Sequence, residues 1–69
     1  MMPHEQYILQ ILREAQEPLF ASEIADRLNR EGPLEPCSPS EVVRRLQTVE
    51  NEVMQLTDGS WTLKKKYQL

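Results

Sequence analysis

Asp58-Gly59 constrains this chain more than any other pair of residues, because it separates EVMQLT from SWTLKKK and folds one back on the other. An Asp-Gly pair favours a two-residue type I′ turn, whose twist matches that of the flanking strands. With that turn, Thr57 faces Ser60, Leu56 faces Trp61 and Met54 faces Leu63. The pairs Leu56–Trp61 and Met54–Leu63 then point inward and are apolar, while Gln55–Thr62 points outward. Register and hydrophobic pattern agree, and the apolar face of the ribbon needs a layer to cover it.

The preceding segments supply that layer. In HEQYILQILREAQ, Ile8, Ile11, Leu12 and Ala15 fall at i, i+3, i+4 and i+7, with Leu9 on the flank. This predicts a helix over residues 3–16, begun by Pro3 and ended by Glu17-Pro18. Leu19 and Phe20 are too short a run for an independent strand but can pair with an edge elsewhere. ASEIADRLNREG predicts a second helix over 22–31. Ser22 is its N-cap, Glu23 and Asp26 suit its positive end, and Gly32 suits its C′ position, while Ile24, Ala25 and Leu28 form its buried face. Two prolines make PLEPCS an extended loop.

A third helix follows. Ser38-Pro39-Ser40-Glu41 matches the S-x-x-E capping box, with proline at the first helical position. The Ser38 hydroxyl is expected to accept from the Glu41 backbone N–H, and the Glu41 carboxylate to reach back to the Ser38 N–H. Val42, Leu46, Val49 and Val53 form one stripe, and Ser40, Arg44, Gln47, Thr48 and Asn51 the opposite face. Arg45 lies near the buried stripe and can snorkel along it, Val43 sits at the boundary, and the helix ends near Asn51.

Helix, short extended piece, two helices and a hairpin is the order of a winged helix. The expected fold is therefore α+β and mainly helical: a three-helix winged helix with a C-terminal two-stranded β-hairpin as the wing, in a single domain over 1–69. Its first few residues and the tail 65–69 are expected to fray. Trp61 is the largest contribution of the ribbon to the core.

ILREAQEPLFASEIADRLNREG, the Ser-led helix and GSWTLKK together resemble the winged helix-turn-helix superfamily. They look most like the HARE helix-turn-helix group, found in the delta subunit of bacterial RNA polymerase and in chromatin-associated proteins. The resemblance spans roughly residues 5–65 and rests on apolar positions, a Glu-Pro-Leu segment and a Gly-x-Trp-x-Leu final strand. It implies that the helix from Ser38 to about Glu50 is a recognition helix and that Thr57–Ser60 is the tip of the wing. It also implies nucleic-acid binding or docking within transcription machinery. The chain departs from the pattern in its longer loop before the third helix, its minimal wing and Asp58 at the tip.

On the DNA reading, Ser40, Val43, Arg44, Arg45, Gln47 and Thr48 are the candidate contacts of the third helix. Arg44 suits guanine or phosphate, Gln47 adenine, and Thr48 phosphate or a thymine methyl. Lys64, Lys65 and Lys66 are candidate phosphate contacts, which alternation along a strand would divide between two faces. Few neutralised phosphates imply weak binding with a shallow salt dependence. The alternative reading is a protein–protein interaction module of the transcription machinery, with an acidic first half and apolar surface at Val43, Tyr67 and Leu69. A chain of this size can also pair as a homodimer.

Charge bears on that choice. Net charge is −3, split as −4 over residues 1–37 and +1 over 38–69, so the general basic signature of DNA-binding domains is absent. With 69 residues the chain buries only about 60% of its unfolded surface. That leaves little room for a substrate pocket.

His4 is the sole histidine and Cys37 the sole cysteine, too few for a zinc site. No phosphate-binding glycine loop or nucleophile elbow occurs. No catalytic residue, metal or cofactor is expected, and the chain is not read as an enzyme. A lone cysteine fits a reducing, cytoplasmic setting. No apolar run approaches the ~18 residues of a membrane span, and no signal peptide is expected.

Overall fold

In the computed structural model, residues 4–31 and 35–67 are described. Pro3, Gly32 and Leu69, with the roles expected of them, lie outside that set, as does the side chain of Tyr67. The order is α1 (His4–Glu14), α2 (Ala21–Glu31), α3 (Pro39–Thr48), β1 (Val53–Gln55), β2 (Trp61–Leu63) and α4 (Lys64–Tyr67). This is the mainly helical α+β layout expected, with an antiparallel hairpin after the third helix.

Each of the first three helices contributes an i, i+4 pair to the centre. Ile8 and Leu12 come from α1, Ile24 and Leu28 from α2, and Val42 and Leu46 from α3; all six are fully buried. That spacing places both members of a pair on one face, one turn apart. Each such side chain contributes about 1.5–3 kcal/mol on burial, so the pairs orient the helices and stabilise their shared core.

The ribbon closes the open side of the bundle. Trp61 is buried, and Leu19 forms a two-way antiparallel bridge with it: Leu19 N donates to Trp61 O at 3.0 Å and Trp61 N to Leu19 O at 2.7 Å. Of the short Leu19-Phe20 run, Leu19 alone pairs with an edge, leaving β2 between Leu19 and β1.

That bridge also moves the start of α2. The chain leaves the sheet at Phe20, whose carbonyl accepts from Glu23 N and Ile24 N, both at 3.0 Å. Phe20, not Ser22, takes the capping position. Its N–H donates to Glu23 Oε1 at 2.8 Å, the reciprocal half of a capping box.

The hairpin is slipped by one residue from the expected register. Val53 pairs with Leu63, Met54 with Thr62 and Gln55 with Trp61. Leu56 N donates to Ser60 O at 2.8 Å and Gly59 N to Leu56 O at 2.9 Å, so the loop has three residues, Thr57–Gly59. Gly59 has φ +94°, whereas no non-glycine residue among those described has positive φ. A type I′ turn would require Asp58 at positive φ. Instead, the Asp58 carboxylate accepts from Ser60 N at 2.9 Å and Ser60 Oγ at 2.6 Å, and the strained position falls to Gly59 alone.

A one-residue slip exchanges the two faces of a strand. Val53, placed by helical spacing on the α3 stripe, is instead the buried residue of β1, while Met54 and Leu56 are only half-buried. Thr62, expected to point outward, is buried. It lies beside Ala15, Pro18 and Lys66.

Residues 64–67 form a helical turn instead of an alternating strand end. The turn directs Lys66 Nζ to the carbonyls of Leu12 (2.8 Å) and Ala15 at the C-terminal end of α1. Those carbonyls have no partner within the helix, and a cation there also opposes the negative end of the helix dipole.

Candidate nucleic-acid interface

The start of α3 is fixed from two sides. Ser38 Oγ accepts from Glu41 N at 3.2 Å, with Pro39 at the first helical position, as the capping box requires. The reciprocal half of the box is replaced. Glu41 turns its carboxylate to Arg45 Nη2, at 3.6 Å, and to the Cys37 thiol, with Sγ to Oε2 at 3.8 Å.

From the other side Asn29, on α2, grips the backbone of Cys37. Its Nδ2 donates to Cys37 O at 3.0 Å and its Oδ1 accepts from Cys37 N at 2.8 Å. His4 Nε2 donates to Glu35 O at 3.0 Å and Tyr7 Oη to Glu31 O at 3.2 Å, tying the same connection to α1. An Asn at an exposed helix position carries no sequence signal for such a clasp.

On the outer face of α3, Ser40, Arg44, Gln47 and Thr48 are all exposed. The Thr48 hydroxyl is occupied, donating to Arg45 O at 2.7 Å, so its methyl and remaining lone pairs face outward. Val43 is half-buried and packs against the core.

Arg45 is engaged within the molecule. Its Nη1 lies 3.2 Å from Glu5 Oε2, its Nη2 faces Glu41, and its Nε is buried with no acceptor among the described residues. Burial works against its charge, but Glu5 and the Cys37 thiol outweigh that and raise its pKa, so it stays cationic. Burial pushes the Cys37 thiol up, Arg45 opposes this and Glu41 adds to it.

The candidate cations therefore separate. Arg44 shares a hollow of about 160 Å³ with Glu5, Glu41, Arg45 and Thr48, so two carboxylates line the same hollow. Lys64 and Lys65 line a different depression, with Arg13. Lys66 is spent on the end of α1. The wing tip carries the Asp58 carboxylate, whose pKa is lowered by hydrogen bonds from the Ser60 hydroxyl and backbone.

Phe20, read from the sequence with Leu19 as an edge-pairing run, is instead exposed. It is the one large hydrophobic side chain exposed among the described residues, at 45%, and its Cε1 lies against Gly59 at the wing tip. Nothing local in the sequence separates the buried Leu19 from the exposed Phe20 beside it.

Among the described residues no group of three or more His, Cys, Asp and Glu is placed to hold a metal ion. No helix among them is long and apolar enough to cross a membrane. No family model, curated protein or solved structure matches the chain.

Proposed function

We propose that this chain is a small winged-helix nucleic-acid-binding domain, transcription-associated and not enzymatic, that places α3 in the major groove of duplex DNA. The observation that carries the reading is the outer face of α3. Ser40, Arg44, Gln47 and Thr48 are its exposed residues beyond Pro39, and no apolar side chain is exposed among them. Those side chains match groove chemistry, with Arg44 for guanine or phosphate, Gln47 for adenine and the Thr48 methyl for thymine. A protein-docking helix would instead be expected to present an apolar anchor. The resemblance to the HARE helix-turn-helix group supports the same role for α3, and the free, buried Cys37 suits a reducing cytoplasm.

Arg45 supports this surface indirectly by holding α3 to α1, and Lys66 acts on α1. Removing both from the contact set, with Lys64 and Lys65 in a separate depression, leaves few phosphate contacts, so binding is weak and its salt slope shallow. The test is titration of random-sequence duplex DNA at several salt concentrations with wild type and an Arg44→Ala, Gln47→Ala double variant. Wild type binds more tightly at low salt if the reading holds. Equal binding by the two proteins rejects α3 as the contact surface.

A further inference from the structure

A groove runs along α1 towards the start of α4, apart from the outer face of α3. It consists of two depressions of about 540 Å³ and about 480 Å³ that share Leu9, Arg13 and Glu52. None of Ser40, Arg44, Gln47 and Thr48 lines either one.

Leu9, Val49 and Leu63 provide its apolar part. Each is half-buried against the core, so each keeps apolar surface open to the groove. Arg13, Lys64 and Lys65 line it as well. No ion pair is formed by any of these three cations among the described residues, where Arg30 pairs with Asp26 and Arg45 with Glu5 and Glu41. Glu52 is the one carboxylate in the half that holds all three. Three cations against one carboxylate thus gather an excess of positive charge in a chain whose net charge is −3.

A phosphate backbone would use the cations but leave the apolar strip bare. A peptide that alternates carboxylates with an aliphatic side chain would use both, covering the strip while its acids meet the cations. We propose that this groove docks an acidic, amphipathic peptide segment of a partner protein. Its carboxylates meet Arg13, Lys64 and Lys65, and an aliphatic side chain covers Leu9, Val49 and Leu63. The surface is distinct from the DNA-facing helix, so a partner and DNA can be held together.

The test follows backbone amide signals by NMR in the full, isotope-labelled chain. It is titrated separately with a synthetic peptide of glutamate pairs flanking leucines, with its glutamine counterpart, and with random-sequence duplex DNA. The glutamate peptide should shift the signals of Leu9, Arg13, Val49 and Lys64, and bind more tightly than the glutamine peptide by roughly tenfold. An Arg13→Glu, Lys65→Glu variant should lose that preference while keeping the core signals of Val42 and Leu46 in place. Equal binding of the two peptides, no binding of either, or peptide shifts on α3 would overturn the proposal. So would stronger perturbation of the groove by DNA than by peptide, which would make the three cations a phosphate track. Shifts by DNA on Ser40, Arg44 and Gln47 report separately on the α3 reading.

Discussion

Lys66 donates through Nζ to the main-chain carbonyl of Leu12 at 2.8 Å, joining two residues 54 apart in sequence. The same ammonium reaches Ala15 O, so a single side chain serves two carbonyls at the end of α1. Lys66→Met keeps most of the aliphatic stem and removes the charge. It is expected to lower unfolding free energy by about 1–2 kcal/mol, measured by urea denaturation, and to leave DNA affinity unchanged.

Neighbouring arginines on α3 should behave in opposite ways. Arg44→Ala changes stability by less than about 0.5 kcal/mol but weakens DNA binding by about 1 kcal/mol or more. Arg45→Ala removes the partner of Glu5 and Glu41 and costs about 1 kcal/mol of stability, since both ends of its main ion pair are partly exposed. Chemical denaturation beside fluorescence anisotropy separates the two effects. A destabilised Arg44→Ala protein would contradict the assignment.

Gly59 is the position where the hairpin depends on glycine. At φ +94° a Cβ meets Phe20 Cε1 at 3.8 Å, an ordinary contact, so the cost of Gly59→Ala is conformational and not steric crowding. A loss of about 1 kcal/mol is expected, with a smaller loss for Asn, which tolerates positive φ better. Thermal unfolding of the two variants beside wild type checks the order.

Asp58 gives the wing a sensitivity to acid. Its folded pKa is depressed from the ordinary 3.8 by the Ser60 hydroxyl and Ser60 N–H. A depressed carboxylate pKa contributes stability above the unfolded pKa, and that contribution fades as pH falls through the folded value. NMR titration of the Asp58 side chain should show a higher midpoint in Ser60→Ala than in wild type. Identical midpoints would remove the hydroxyl as the cause.

Cys37 should be a poor nucleophile while the protein is folded. The thiol is buried and its pKa lies above the ordinary value, so almost none is thiolate at neutral pH. Reaction with a thiol reagent at pH 7 is expected to be slow in buffer and fast in denaturant. Equal rates would show that the site opens freely.

The helices and their buried faces were legible because each rests on a repeated spacing: Ile8 with Leu12, Ile24 with Leu28, Val42 with Leu46. The Ser38 cap was legible for a similar reason, since its partners lie within one turn. Hairpin register was not, because Asp58-Gly59 serves a two-residue or a three-residue loop, and the choice lies in a bond between Asp58 and Ser60. The candidate site was legible only in part. Helical phase puts Ser40, Arg44, Gln47 and Thr48 outward, but the fates of Arg45 and Lys66 depend on Glu5, Leu12 and Ala15. No local pattern brings those residues near.

The bridge between Leu19 and Trp61 has a consequence for how the molecule is made. The connection between α1 and α2 has no strand partner until residue 61 exists, and α1 has no lysine at its end until residue 66 does. Until that strand is in place, the three helices lack the layer that seals their shared core. Closure therefore depends on contacts between segments far apart in sequence, the slower kind to form. A chain cut before Trp61 would therefore present that unsealed apolar face to water.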